Sequence, residues 1–254
     1  MPASRSSYYR ASRSPRYSVL FALPLLIAYE TLAASLSRPG RGELRNGADA
    51  ILRAAFTLAA GVYGPTIFMA VVVLVGVWLV VRDIRRSGER PRARVFVMML
   101  LESIVLAGLF GIVVGTLTAQ LLGSLQALTM PHLALAQPGG PLARMSWNTR
   151  LMLSVGAGLY EELFFRVLLV GGLAAGARVV FGLGRRGAGV IAAVLGALIF
   201  SAFHYIGPYG DPLQLQSFVF RALSGLAFSA LYLLRGFGIT AWTHALYDAF
   251  LLLA

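Results

Sequence analysis

Residues 149–176 read TRLMLSVGAGLYEELFFRVLLVGGLAAG. The run is apolar and longer than the ~20 residues a helix needs to cross a bilayer, yet Glu161, Glu162 and Arg166 stand at its centre. On a helix, adjacent side chains point about 100° apart, while positions four apart share a face. Glu162 can therefore pair with Arg166, leaving Glu161 directed elsewhere. One carboxylate is neutralised and the other stays available as a general base. The purely structural alternative is an intrahelical ion pair beside an inert glutamic acid.

Outward from this run the whole chain has the same character. Of its 254 residues, 58% are hydrophobic and only 13% charged, against about a quarter charged in an ordinary soluble domain. Apolar stretches at 17–35, 64–82, 95–123, 149–176, 187–206, 215–234 and 237–253 alternate with short polar loops. The expected fold is all-α: a polytopic transmembrane bundle of seven helices, or eight if residues 48–62 also cross. That stretch carries Asp49 and Arg53 and is short, so an interfacial or re-entrant helix is the preferred reading. Residues 1–16 read as a disordered basic tail, 17–148 as N-terminal membrane helices and 149–254 as a C-terminal helical core. A cleaved signal peptide ending near Ala33-Ala34-Ser35 competes for the first span, but its length and the Tyr29-Glu30 pair within it favour a retained helix.

The formal charge of +12 is almost all arginine. Arg5 to Arg16, interleaved with Ser and Tyr, would suit nucleic acid in a soluble protein. In a membrane protein such charge marks the cytoplasmic face, so no nucleic-acid partner is expected and the bilayer is. Six arginines between Arg82 and Arg94, together with Arg178, Arg185, Arg186 and Arg235, fall on one side in a seven-span reading. The stretch Gly207 to Leu213 falls on the other. The expected location is the cell membrane, as a multi-pass protein. The chain has no cysteine, which excludes disulfides, thiolate nucleophiles and Cys-ligated zinc.

Ionisable residues inside spans cost roughly 2.5–3.5 kcal/mol each to insert and so mark function by default. Here they are Glu30, Glu102, Glu161, Glu162, Arg166, His204, Arg221, His244 and Asp248. Six of them form three patterns in the last four spans: Glu161 to Arg166 (EELFFR), Phe200 to His204 (FSAFH) and His244 to Asp248 (HALYD). In the last, i, i+4 spacing puts imidazole and carboxylate on one face, where Asp248 can fix the tautomer of His244. Each pattern alone also has an inert, hydrogen-bonded reading.

The ordered trio resembles the signature EExxxR, FxxxH, HxxxN of the CPBP family, the CAAX prenyl endopeptidases and bacteriocin-processing (Abi-type) enzymes, over roughly residues 149–253. The resemblance implies an intramembrane endopeptidase acting near the C-terminus or leader of a membrane-associated protein or peptide. Glu161 with His204 would activate water, His244 with Asp248 would stabilise the oxyanion or protonate the leaving amine, and Glu162 and Arg166 would be supports. Asp248 departs from the family's usual Asn; an ionised Asp repels an oxyanion, which leaves it the role of orienting His244 or requires it to be protonated. The resemblance also permits a metal variant with zinc on Glu161, His204 and His244; the metal-independent reading is preferred, and no cofactor is assigned. Two other readings are a non-catalytic scaffold or immunity protein of the same fold, and an ion- or proton-coupled transporter using Glu30, Glu102 and Arg221 as relays.

Overall fold

A computed structural model describes residues 5–37, 44–122, 145–207 and 210–253. The first four residues of the expected tail, the 123–144 connection and positions 208–209 lie outside them. The described residues are built from helices: α1 (Arg5–Ser12), α2 (Pro15–Leu36), α3 (Gly47–Ala60), α4 (Gly64–Ser87), α5 (Ala93–Leu122), α6 (Trp147–Gly156), α7 (Gly171–Phe181), α8 (Arg185–Phe203), α9 (Leu215–Arg235) and α10 (Phe237–Leu253). A π-helical segment, Ala157–Val170, joins α6 to α7 without a break. Among the described residues, six helical stretches are long and apolar enough to cross a membrane, and the chain is an integral multi-pass membrane protein.

Two of the expected spans come out differently from a simple count. The stretch Gly47–Ser87 is helical over 41 residues, but it folds back on itself. Gly61 takes φ 56°, a left-handed value suited to glycine, at the start of a short 3₁₀ turn. Phe56 and Phe68 then lie with ring centroids 5.4 Å apart, where twelve residues of straight helix would hold them ~18 Å apart. The 14-residue α3 thus bends back toward the first turns of α4. The seventh expected span, α10, has 17 residues, ~26 Å of helix against ~30 Å of hydrocarbon. It packs against α2, α5, α6, α9 and the π-helical segment, and Ile239, Thr240, Ala241 and Thr243 are buried.

The outer surface is apolar. On α4 only Gly64 and Phe68 are buried, while Leu74, Val77 and Trp78 face outward, as expected of a helix solvated by lipid.

The arginine-rich segments meet at one end of the bundle. Arg16 at the start of α2 is buried and reaches Asp83 at 3.7 Å, Glu89 at 3.4 Å and Ser87. The backbone N–H of Arg92 donates to the Tyr17 hydroxyl at 2.9 Å. The disordered tail expected over residues 1–16 is corrected over its described part. Arg5–Ser12 is helical and packs on α2 and α5. Its anchor is Glu102, which accepts from the Tyr8 hydroxyl at 2.6 Å and from Arg235 at 2.5 and 2.7 Å, while Arg235 stacks on Tyr9 at 4.6 Å. Burial and the Glu102 carboxylate hold the Tyr8 hydroxyl protonated well above its ordinary range. Composition suggested disorder because it registers the arginines but not the long-range partner, Glu102, that orders them.

Candidate active site

The EELFFR motif lies in the π-helical segment, whose i→i+5 hydrogen bonding is rare and concentrates at functional sites. Glu162 turns into the protein. Its Oε2 lies 3.1 Å from Arg166 Nε, with both side chains almost fully buried. The pair is close but out of hydrogen-bond alignment, and none of the three Arg166 nitrogens makes a hydrogen bond. The guanidinium instead lies over the rings of Phe200 at 4.5 Å and Phe228 at 5.4 Å. A carboxylate and two π-faces thus balance its charge.

Glu162 also receives His244. The Nδ1 of His244 is 2.7 Å from Glu162 Oε1, and the imidazole stacks on Phe228 with centroids 4.3 Å apart. A carboxylate paired to arginine only accepts, so Nδ1 carries the proton and Nε2 keeps the lone pair. Asp248 lies on the other side, its Oδ2 3.7 Å from His244 Nε2, beyond hydrogen-bond length. The expectation that Asp248 fixes the His244 tautomer is therefore corrected: Glu162 holds the ring. Sequence spacing brought Asp248 to the correct face but could not give its distance. Gly158 makes the Glu162 contact possible. A Cβ there would meet the Ala241 carbonyl oxygen at 2.3 Å and the Ala245 nitrogen at 2.7 Å, so only glycine lets α10 approach this closely.

His204 follows the last residue of α8. Its Nδ1 lies 2.8 Å from the Phe200 carbonyl, which can only accept, so Nδ1 is again the protonated nitrogen. Asp211 returns to donate its backbone N–H to His204 O at 3.0 Å, and its side chain pairs with Arg221.

A cavity of about 920 Å³ brings Glu161, His204, His244 and Asp248 together on its wall, with Asn46, Arg150 and Arg221. Glu162 and Arg166 stand behind this wall. Glu161 is buried, receives a hydrogen bond from Asn46 Nδ2 to Oε1 at 2.9 Å, and leaves Oε2 without a hydrogen-bond partner. The lining includes Gly207, Gly210 and Asp211 after α8, Arg150 in the first turn of α6 and Leu251 near the end of α10. These chain positions are opposite the arginine-rich end of the bundle.

Asn46 is the site residue that sequence reasoning missed. Asn46 and Asp49 have the spacing of a helix start, which signals α3 but not a contact 115 positions away. The other ionisable residues of the spans are held locally. Glu30 accepts from Arg45, Arg53 and Tyr160, each at 2.8 Å, and Asp49 accepts from Arg53 at 2.7 Å and Tyr29 at 2.8 Å. With Glu102 tied to Arg235 and Arg221 to Asp211, the residues of the expected proton relay sit in separate ion pairs. Among the described residues no three His, Cys, Asp or Glu side chains are grouped so as to hold a metal ion. The zinc set Glu161, His204 and His244 does not fit the side chains as they stand.

Comparison with known proteins adds one match: residues 144–250 fit the family described as type II CAAX prenyl endopeptidase Rce1-like. No curated protein and no solved structure matches. The matched segment contains all three motifs, and its cavity wall carries Glu161, His204 and His244. Over residues 144–250 the chain is thus similar to the Rce1-like family of type II CAAX prenyl endopeptidases.

Proposed function

We propose that the protein is an intramembrane endopeptidase that hydrolyses a peptide bond in a membrane-associated protein or peptide, using Glu161 as the base that activates water. The observation that carries this is the meeting of Glu161, His204 and His244, from three helices, on one cavity wall, with Glu161 Oε2 unpartnered. Glu161 takes a proton as the water oxygen bonds to the scissile carbonyl carbon. The C–N bond then breaks, and the departing nitrogen receives that proton. The Nε2 of His204 holds a lone pair that can orient the water. His244, its Nδ1–H held by Glu162, can bear a proton on Nε2 and so donate to the oxyanion. Asp248 Oδ2 faces that nitrogen at 3.7 Å. No step runs through a metal; exhaustive chelation leaves cleavage intact.

The test of the activity is a comparison of membrane-protein termini in cells with and without this chain. New C-termini near the membrane segments of a defined set of proteins appear only when it is present. An unchanged set of termini rejects the proposal. The transporter reading has no observation of its own, because each of its relay residues is bound in a separate pair.

The positive-inside rule assigns the arginine-rich end to the cytoplasm, so the site belongs to the opposite half of the bilayer and its substrate to an exported or membrane-anchored tail at the cell membrane. Because the chain lacks cysteine, single cysteines report this directly. Leu213 and Arg86 are both exposed. Leu213→Cys reacts with an impermeant maleimide in intact cells, and Arg86→Cys reacts only after permeabilisation. The reverse labelling inverts the topology.

A further inference from the structure

A side-chain amide stands at the start of α3, against the proposed base. Asn46, just before that helix, is the one side-chain amide among the described residues that line the cavity, and it is only 5% exposed. Its Oδ1 accepts the Ala48 backbone N–H at 2.9 Å and caps α3. Its backbone N–H donates to the Tyr29 hydroxyl at 2.9 Å, and Tyr29 donates to Asp49 Oδ2 at 2.8 Å. Its Nδ2 donates to Glu161 Oε1 at 2.9 Å.

These partners settle which way the amide points. Ala48 offers only a donor, so Oδ1 must face it; Nδ2 then faces a carboxylate oxygen, which accepts. The close approach depends on Gly156, where a Cβ would meet the Asn46 Cβ at 2.8 Å and the Tyr29 ring at 2.5 Å. Asn46 is thus fixed by α2 and α3 independently of Glu161, and it holds one oxygen of that carboxylate while the other has no partner.

We infer that Asn46 is a positioning residue for Glu161: by holding Oε1 it directs Oε2 at the water to be activated. The working unit therefore extends outside the matched residues 144–250 to the N-cap of α3. This rests on the reading of Glu161 as the base. A carboxylate free to rotate samples unproductive geometries, and loss of an orienting partner typically lowers activity about 10–100-fold.

The cap and the positioning contact can be separated. Asn46→Ser keeps a good N-cap and Asn46→Gly a tolerable one, while neither reaches Glu161. Measured on purified full-length protein with a cleavable membrane peptide, both variants retain a cooperative melt and lose about 10–100-fold in kcat with KM nearly unchanged. Combined with Glu161→Gln, Asn46→Ser adds no further loss, because the group it positions is gone. Wild-type kcat in either folded variant overturns the inference, as does a further loss in the Glu161→Gln background or a kcat that falls only in step with the folded fraction. The two readings fail separately. An active Glu161→Gln enzyme removes the base, whereas an inactive Glu161→Gln enzyme with a fully active Asn46→Ser enzyme removes only the role of Asn46.

Discussion

Glu161→Gln lowers kcat by about 10²–10⁴-fold and leaves a small residual turnover, the range expected for loss of a positioned base. The same substitution leaves the protein folded. Gln keeps an oxygen that can accept from Asn46 Nδ2, and the other oxygen has no hydrogen-bond partner to lose. The variant therefore melts in detergent near the wild-type temperature. His204→Ala gives a similar loss of turnover in a folded protein, since among the described residues the His204 side chain hydrogen-bonds to the Phe200 carbonyl and packs on neighbouring rings. Wild-type turnover in a folded Glu161→Gln protein would end the mechanism.

Glu162→Gln produces the opposite profile, although the two glutamates are adjacent. Glu162 is the carboxylate facing the buried Arg166 at 3.1 Å and the partner of His244 at 2.7 Å. Neutralising it leaves a buried guanidinium without a counter-charge, at a cost of about 3–5 kcal/mol, a large part of the 5–15 kcal/mol that holds a typical fold. The expected readout is a steep fall in melting temperature and in the amount of protein accumulating in the membrane. Adding Arg166→Met removes the stranded charge and restores the melt. It does not restore turnover to wild type, because His244 has lost the charge that holds it. A Glu162→Gln protein that melts like wild type would show that the ion pair does not support the fold.

The contrast between the two glutamates was partly legible in the chain itself. Helical spacing is local, so EELFFR alone sufficed to pair Glu162 with Arg166 and to turn Glu161 away. Apolar run lengths likewise located the membrane helices, and the arginine distribution located one end of the bundle. Such features depend on residues within a few turns of one another or on transfer from water to lipid, both of which a sequence carries directly.

What the sequence could not carry was the approach of one helix to another. Whether His244 is held by Asp248, four positions away, or by Glu162, 82 positions away, depends on how closely α10 can pack, and Gly158 sets that distance. Similarly, the contact of Asn46 with Glu161, 115 positions away, depends on the close approach that Gly156 allows. The helical state of Arg5–Ser12 rests on Glu102. Sequence determined which residues carry the charge and which helical face each occupies. Tertiary structure decided which of them meet, because periodicity fixes a side chain's direction around its own axis but not the separation, rotation or depth of the helix packed against it.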